Sequence, residues 1–254
     1  MTKDLLGARM KRYEAVTDIK LIRRMPVILR FDMCHGHSFT KGFQKPFDEI
    51  FMKSMQLTME TLCKEIHGAV LGYTQSDEIT LILVDYSTLE TAAWFDNRLE
   101  KIVSVGASMA ARFFNQFYIH VLENCKKADK DADLSIYKKK VFTANFDCRA
   151  FNIPKEDVCN NLIWRQKDAE RNSVQMAAQS LYSQKELLGI SNKELQNKMF
   201  TEKGVNWSEF SVSCKRGTAC RKNAEGKWFI DYAMPILTED RSYIEDLIYV
   251  GEYK

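Results

Sequence analysis

Several features that would decide the class of this protein at once are missing from its 254 residues. No run of 18 apolar residues is present, which excludes a transmembrane helix of ordinary length. The chain also has no apolar signal core before it turns polar at Lys11 and Arg12. No internal repeat or low-complexity tract occurs. The sequence therefore predicts a protein that does not span a membrane and is not secreted.

Cysteines are present, but not in the patterns that bind metals or form disulfide frameworks. The seven cysteines are scattered along the chain, and no two of them form a Cys-x-x-Cys pair. An odd, scattered set is typical of reduced thiols in the cytosol, so we expect a cytoplasmic protein. Cys34, His35 and His37 lie too close in sequence to converge readily on one tetrahedral zinc ion.

A strong excess of charge is missing as well. The sequence has 37 Lys and Arg against 34 Asp and Glu, which gives a net charge of +3. A total of this size permits a polyanionic partner but does not require one. The fractions of hydrophobic (45%) and charged (28%) residues are ordinary for a globular protein that buries a core. Composition alone therefore does not identify a function.

The first 150 residues have the pattern of a compact α+β unit. Strands are predicted at 26–32, 69–73, 79–84 and 141–150. One helix is predicted to follow Asp48, and a second, long helix to begin with a capping box at Ser87. The order β-α-β-β-α-β is that of a ferredoxin-like sheet with helices on one face. The charged segment 125–140 is predicted to be a solvated loop.

The remaining residues, 151–254, are predicted to be rich in helix and to end in a hairpin. A long helix begins after Pro154 and runs to about Leu187, and Ser191 caps a shorter one. Strand-like runs on both sides of residues 223–226 predict a C-terminal hairpin. No linker separates the two halves. Either residues 151–254 form an extension packed on a domain of residues 1–150, or the chain is a single domain.

The clearest chemical signal is a set of acids at the ends of predicted strands. Asp32 ends the first strand, and Asp77 lies in the turn of a hairpin, followed by Glu78. The first and third strands of a ferredoxin-like sheet are neighbours, so carboxylates there repel each other unless a cation intervenes. Oxygen ligands suit Mg²⁺, and two such ions are a standard device of phosphoryl transfer. Acids are also common in ordinary turns, so the pattern alone leaves both interpretations open.

Seven short motifs follow one another along most of the chain. They occupy residues 9–14, 30–32, 37–40, 45–48, 73–78, 164–168 and 215–218. Each is weak alone, but together and in this order they resemble the tRNA-His guanylyltransferase superfamily. The tRNA-His-specific members carry a histidine-bearing motif after Trp-Arg-Gln, whereas this chain continues to Arg171-Asn172-Ser173. That form is similar to the bacterial and archaeal like-protein branch.

The resemblance implies a polymerase-like palm, here within residues 1–150, that uses two Mg²⁺ ions. Family members activate the 5′ end of an RNA with ATP or GTP, and the 3′-hydroxyl of an incoming nucleotide then displaces the activating group. The like-protein branch adds nucleotides by Watson–Crick templating and so repairs 5′-truncated tRNA in the 3′-to-5′ direction. A homotetramer is also implied. We therefore expect a template-dependent nucleotidyltransferase that acts on tRNA.

The resemblance also assigns roles to individual residues. Asp32 and Asp77 match the metal-binding carboxylates, and Glu78 follows in the same motif as a further catalytic acid. Met33 takes the position whose backbone carbonyl binds a metal. The residues matched to the nucleotide are His37, Lys45, Asp48, Ser76, Lys101 and Ser104. The residues matched to tRNA or its phosphates are Arg171, Asn172, Lys203 and Lys215, and lysine is well suited to phosphate.

One departure from the family pattern follows Asp32 directly. The family normally reads Asp-Gly-(Lys or Arg)-x-Phe-His, whereas this chain reads Asp-Met-Cys-His-Gly-His, with Met33 and Gly36 at the two unusual positions. If the usual glycine serves only to offer its carbonyl, Met33 can replace it. If it provides a backbone angle that Met cannot adopt cheaply, the chain is better explained as a non-catalytic RNA-binding module. Guanylyl transfer specific to tRNA-His is the other alternative.

Overall fold

A computed structural model describes residues 5–249, in which six strands and ten helices are found. The strands are β1 (Val27–Met33), β2 (Ala69–Gln75), β3 (Glu78–Leu83), β4 (Phe146–Asn152), β5 (Thr218–Lys222) and β6 (Trp228–Asp231). The helices are α1 (Leu5–Glu14), α2 (Gly36–Phe39), α3 (Glu49–Glu65), α4 (Leu99–Ala128), α5 (Ser135–Lys138), α6 (Lys155–Leu181), α7 (Gln184–Leu187), α8 (Asn192–Lys203), α9 (Val212–Arg216) and α10 (Ser242–Ile248). Short 3₁₀ helices lie at Ala15–Thr17, Trp94–Asn97 and Trp207–Glu209.

All six strands belong to one antiparallel sheet with the order β4-β1-β3-β2-β5-β6. The α+β class is confirmed, and β1 and β3 are neighbours as the ferredoxin-like order predicts. The predicted C-terminal hairpin is formed by β5 and β6, and the Asn223 side chain closes its turn by accepting from the backbone of Glu225 and Lys227. Because β5 pairs with β2, this hairpin extends the sheet of the first half. The division at residue 150 stays a prediction.

Helices cover both faces of the sheet rather than one. On the first face, α3 and α4 pack over a core that includes Phe31, Met55 and Phe114. On the second face, α6 and α10 pack over residues such as Ile28 and Leu71. The prediction of a single covered face is wrong because β1 to β3 are apolar on both sides, and each side needs a partner.

The second long helix does not begin at Ser87. Residues 87–93 are irregular, and α4 starts only at Leu99. The hydroxyls of this segment bond locally instead: the Thr91 Oγ1 accepts from the Thr88 N–H at 2.9 Å and also contacts the Thr88 hydroxyl. Short hydroxyl side chains close turns as readily as they cap helices, so the capping-box prediction was wrong.

Three other boundaries also differ from the prediction. The fourth strand begins at Phe146 instead of 141, because residues 141–142 end a turn and residues 143–145 are irregular. The helix predicted to reach Leu187 ends at Leu181, after which Ser183 caps α7. The predicted loop 125–140 contains the end of α4 and the single turn of α5. Within residues 5–249, no helix is long and apolar enough to cross a membrane.

Candidate active site

The three acids singled out in the sequence meet at one edge of the sheet. The β1–β3 and β1–β4 registers place Asp32 opposite Glu78 on one side and Asp147 on the other. Asp77 lies in the turn between β2 and β3, where its carbonyl accepts from the Met33 N–H at 3.0 Å. The predicted convergence of Asp32, Asp77 and Glu78 is therefore present.

The protein compensates the carboxylates of Asp32 and Asp77 only in part: Asp32 faces Arg30 at 3.2 Å and Arg149 at 3.8 Å. One oxygen of Asp32, Oδ2, is buried and has no hydrogen-bond partner among the described residues. Burial raises the pKa of Asp77, and the negative charge of Asp32 raises it further, although a hydrogen bond from Ser76 opposes the change. An ionised Asp77 would therefore gain from a nearby cation.

Glu78 is held differently, because two arginines bind its carboxylate. Arg30 donates to Glu78 Oε1 at 3.0 Å and to Asp32 Oδ1 at 3.2 Å from the same nitrogen. Arg165 donates to Glu78 Oε2. Burial raises the pKa of Glu78, and the positive charges of Arg165 and Arg30 oppose that rise. Glu78 thus ties β3 to both arginines, and both of its oxygens are occupied.

Arg165 was part of a sequence motif but was not predicted as a site residue. It lies on α6 with only 4% of its surface exposed, stacks on Trp164 at 4.7 Å, and also faces Asp168 at 3.3 Å. Its partner Glu78 is 87 residues away in sequence, so only the fold could reveal the contact. The buried guanidinium fixes the position of α6 relative to the acidic edge, the edge of the sheet formed by Asp32, Asp77 and Glu78.

The acidic edge fits a hard divalent cation. Asp32 and Asp77 supply carboxylate oxygens, which are the donors that Mg²⁺ prefers. Asp32 Oδ2 accepts no hydrogen bond and faces only the Arg149 guanidinium, at 3.8 Å, among the described residues, so it can bind such an ion. Among residues 5–249, no group of three or more His, Cys, Asp and Glu side chains forms a complete metal cage. An ion here would take its other ligands from backbone, water or a bound phosphate, as Mg²⁺ commonly does.

The unusual residues after Asp32 are both accommodated by the local backbone. Met33 ends β1 in an extended conformation without a positive φ. Its side chain is buried in the core. A glycine-only backbone angle is therefore not required at this position. Gly36 packs against Asp77 so closely that a Cβ atom on it would lie 1.9 Å from Asp77 Oδ2. A residue with any side chain at position 36 would have to displace that carboxylate.

A cavity of about 180 Å³ reaches the β2–β3 turn that carries Asp77. Ser76, the neighbour of Asp77, lines it, as do Lys45, Asp48 and Asn172. Four residues predicted to bind nucleotide or tRNA therefore share this cavity. Its walls also include the aromatic side chains Phe43, Phe47 and Phe51. An apolar wall with a few polar groups is typical of a small-molecule site.

Asp48 has a structural role in this wall. Its Oδ1 accepts from the Phe51 N–H at 2.8 Å and so caps α3. Its Oδ2 accepts from the Gln44 N–H at 3.0 Å and the Tyr137 hydroxyl at 2.6 Å. With three donors bound, Asp48 shapes the cavity by holding residues 44–51 together.

The remaining predicted residues lie outside the cavity lining. His37 is exposed on α2, and Arg171 is exposed on α6, where it pairs with Asp168 at 2.6 Å. Lys215 donates to the Ser208 carbonyl and lies 5.6 Å from the Trp207 ring. Lys203 lies 5.5 Å from the ring of Tyr182 at the end of α8.

Lys101 and Ser104 are far from the acidic edge within one chain. Both are exposed on the first turns of α4, and Ser104 Oγ donates to the Glu100 carbonyl at 2.6 Å. The residues before α4 lie beside Val27 and Leu83. Val27 and Leu83 are at the ends of β1 and β3 that are far from Asp32. The fold therefore does not bring these two residues to the cavity of their own chain.

Comparisons with known proteins agree on one family. The family described as "Thg1: tRNAHis guanylyltransferase" matches residues 7–154. A solved "Bacterial tRNA(HIS) Guanylyltransferase (Thg1)-Like Protein in complex with ATP" is 41% identical, with a TM-score of 0.83 over 96% of this chain and 99% of that one. A like-protein structure in complex with GTP is 38% identical, with a TM-score of 0.79 over 97% of this chain and 100% of that one.

A curated relative supports the same assignment. An uncharacterized protein of Acanthamoeba polyphaga mimivirus is 29% identical over 85% of this chain and 77% of its own length. The family match covers more than half of the 254 residues. The like-protein structures extend the similarity over nearly the whole chain, including α6 and the C-terminal hairpin. The chain therefore belongs to the tRNA-His guanylyltransferase family, as its seven motifs predicted.

Proposed function

We propose that this protein is a template-dependent 3′-to-5′ nucleotidyltransferase that repairs 5′-truncated tRNA. It activates the 5′ end of the tRNA with ATP or GTP and then adds nucleotides to that end. The observation that carries the proposal is the cavity lined by Lys45, Ser76 and Asn172, because Ser76 lies in the same turn as Asp77, next to Asp32 and Glu78. The like-proteins with 41% and 38% identity were solved with ATP and with GTP bound.

Each side chain has a distinct task in this proposal. The cavity holds the base and sugar of the nucleotide against its aromatic wall, and Lys45 at its rim offers positive charge to the triphosphate. Asp32 and Asp77, with the backbone of Met33, would hold the Mg²⁺ ions of a polymerase-like palm. Bound Mg²⁺ would neutralise phosphate charge as the phosphorus is attacked. Glu78 acts through Arg30 and Arg165, because its oxygens already accept from both.

The chemistry comprises two displacements at phosphorus. A 5′-phosphate oxygen of the tRNA attacks the α-phosphorus of ATP or GTP, and pyrophosphate leaves. The 3′-hydroxyl of the incoming nucleotide then attacks the 5′-phosphorus of the activated tRNA, loses its proton, and the nucleoside monophosphate leaves. Both steps need a hydroxyl or phosphate oxygen held in line with its target, so positioning supplies much of the rate.

Two observations favour catalysis over a non-catalytic RNA-binding module. Met33 ends an ordinary strand without a positive φ, and Gly36 leaves room for the Asp77 carboxylate. A site that only binds RNA does not require Asp32, Asp77 and the cavity to lie together. The absence of the histidine-bearing motif after Gln166 favours the like-protein activity over guanylyl transfer specific to tRNA-His.

A homotetramer, which the resemblance implies, and a cytoplasmic location, which the scattered cysteines indicate, complete the proposal. Helix α1 has no buried residue, and Leu6, Met10 and Tyr13 form an exposed apolar stripe along it. A neighbouring subunit could cover such a face. Sedimentation velocity measures the assembly directly, and a monomer at micromolar concentration would refute this part of the proposal.

The decisive experiment uses tRNA with a labelled 5′-monophosphate, ATP or GTP, and Mg²⁺. We expect a nucleotidylated 5′ end to accumulate when the incoming nucleotide is withheld, and the truncated tRNA to be extended when it is supplied. A non-catalytic module would bind the tRNA without changing its end. Addition of G to full-length tRNA-His alone, without repair of truncated tRNA, would favour the tRNA-His-specific alternative.

A further inference from the structure

An open groove of about 500 Å³ lies between α4 and the segment that precedes β4. Its lining includes Arg112 and Gln116 on α4, and Phe142 and Asn145 on the opposite wall. None of these residues lines the cavity beside Ser76, so the groove is a separate feature. Its combination of an aromatic ring, a guanidinium and amides is the chemistry that contacts nucleic acid.

Phe142 is the most unusual residue of this groove. Three quarters of its surface is exposed, and its backbone has a φ of +59°. Bulky residues rarely adopt this region, and such backbone strain is concentrated at functional sites. An exposed ring on a strained backbone does not stabilise the isolated fold, but it can contact a ligand.

The ring is carried by a segment that the fold holds in place. Asn115 on α4 donates to the Ala144 carbonyl at 2.8 Å and accepts from the Ala144 N–H at 3.3 Å. The Thr143 hydroxyl donates to the Lys140 carbonyl at 2.8 Å. Both residues that follow Phe142 are thus fixed, and its ring is presented at little further entropic cost, as a stacking platform requires.

The surroundings of the ring are predominantly positive. Lys138 and Lys139 are exposed just before it. Within residues 5–249, the Arg112 guanidinium makes no hydrogen bond or ion pair and lies only over the Phe113 ring, at 4.3 Å. The nearby acid Asp147 faces Arg149 at 3.9 Å. Free cations beside an exposed ring match the phosphates and bases of a polynucleotide.

The groove also begins close to the acidic edge. The Cys34 N–H donates to the Asn145 carbonyl at 2.8 Å, directly after β1. Asp147, two residues further along, is paired with Asp32. Two residues of extended chain span about 7 Å. The Asn145 end of the groove therefore lies at the same end of β1 as Asp32, and an RNA strand whose end reacts at Asp32 and Asp77 can continue around this end of the sheet into the groove.

We propose that this groove binds a nucleotide of the tRNA strand next to the reacting end, with its base stacked on Phe142. Arg112 contacts the base or its phosphate, and Lys138 and Lys139 contact the backbone that leads to it. The inference rests on the proposed function, because it takes the RNA substrate as the ligand. It adds an RNA subsite on the α4 side of the sheet, distinct from the nucleotide cavity.

The test compares Phe142→Ala with Phe142→Trp, which restores a stacking surface. Binding of fluorescein-labelled, 5′-truncated tRNA is measured by anisotropy at fixed salt and Mg²⁺. We expect Phe142→Ala to raise the Kd about tenfold or more, within the range known for base–aromatic stacking, and Phe142→Trp to stay within about threefold. The KM for tRNA should rise in parallel, while the KM for ATP and kcat change little. Phe95→Ala is the matched control, since Phe95 is also partly exposed and has a φ of +49°.

A second readout reports the stack itself. A truncated tRNA with 2-aminopurine near its 5′ end should lose fluorescence on binding the wild type and less on binding Phe142→Ala. An unchanged Kd and unchanged quenching in Phe142→Ala would overturn the inference. So would a change in sedimentation without a change in tRNA affinity, because Phe142 would then be an interface between subunits. If the wild type binds tRNA through Phe142 but adds no nucleotide, the proposed function fails and the subsite stands.

Discussion

Replacing Gly36 by alanine should damage the site through a single added carbon atom. The new Cβ would lie 1.9 Å from Asp77 Oδ2 and 2.8 Å from its Cγ. Since non-bonded atoms settle near 3.5 Å, the carboxylate must move by about 1.5 Å or rotate away. A displacement of about 1 Å in a catalytic group can cost on the order of a hundredfold in rate. We therefore expect roughly a hundredfold loss in Gly36→Ala, or about 2.7 kcal/mol of barrier.

The assay is single-turnover adenylylation of 5′-monophosphorylated tRNA across a range of Mg²⁺ concentrations. Gly36→Ala should need more Mg²⁺ for half its maximal rate, because the displaced carboxylate is the proposed ligand. Ser38→Ala, an exposed change on the same short helix, controls for disturbance of α2, and the melting temperature controls for folding. A Gly36→Ala enzyme within threefold of wild type at every Mg²⁺ concentration would refute the argument.

Four further predictions concern the same edge and its substrate. Asp77→Asn should abolish activation and nucleotide addition while tRNA binding survives, because other phosphate contacts supply most RNA affinity; near-wild-type addition would contradict the metal assignment. Met33→Gly should change single-turnover adenylylation by less than threefold, since Met33 has no positive φ, and a hundredfold gain would point to a crippled polymerase. The enzyme should insert the complementary nucleotide opposite a 3′-strand base in several truncated tRNAs, which sequencing of the products checks. Because the folded protein raises the pKa of Asp77 through burial and the charge of Asp32, ionised Asp77 costs stability above that pKa, and the cost disappears as the pH falls through it. Metal-free Asp77→Asn should therefore melt at a higher temperature than wild type at neutral pH, and a lower melting temperature would contradict this.

The sheet could be predicted from the sequence because its strands are short apolar runs separated by clear turns. The neighbouring positions of β1 and β3, and hence of Asp32 and Asp77, follow from the order of the elements. The start of α4 could not be predicted in the same way. Ser87 and Glu90 have the spacing of a helix cap, but Thr88 and Thr91 bond to each other in the folded chain. Local patterns of hydroxyl residues do not decide between these outcomes.

Contacts between distant segments account for the rest of the site. The sequence marks Arg165 as part of a motif, but its bond to Glu78 depends on how α6 packs on the sheet. The close approach of Gly36 to Asp77 joins residues 41 positions apart and has no counterpart in periodicity or composition. Asp48 was predicted at the nucleotide, and its three backbone and hydroxyl donors became visible only in the folded chain.

The arginines beside Glu78 also have a consequence for the order in which ligands can bind. Arg30 and Arg165 offset two of the three carboxylates of Asp32, Asp77 and Glu78. Arg149 faces both Asp147 and Asp32, so it adds one positive charge against the negative charge of Asp147. The net charge left at this edge is therefore close to −1. The charge of +2 on a single divalent ion is already larger than this in magnitude. A second divalent ion would find net repulsion there until the phosphates of a nucleotide arrive. The empty protein should thus take up one Mg²⁺ readily, and the second should enter together with the triphosphate.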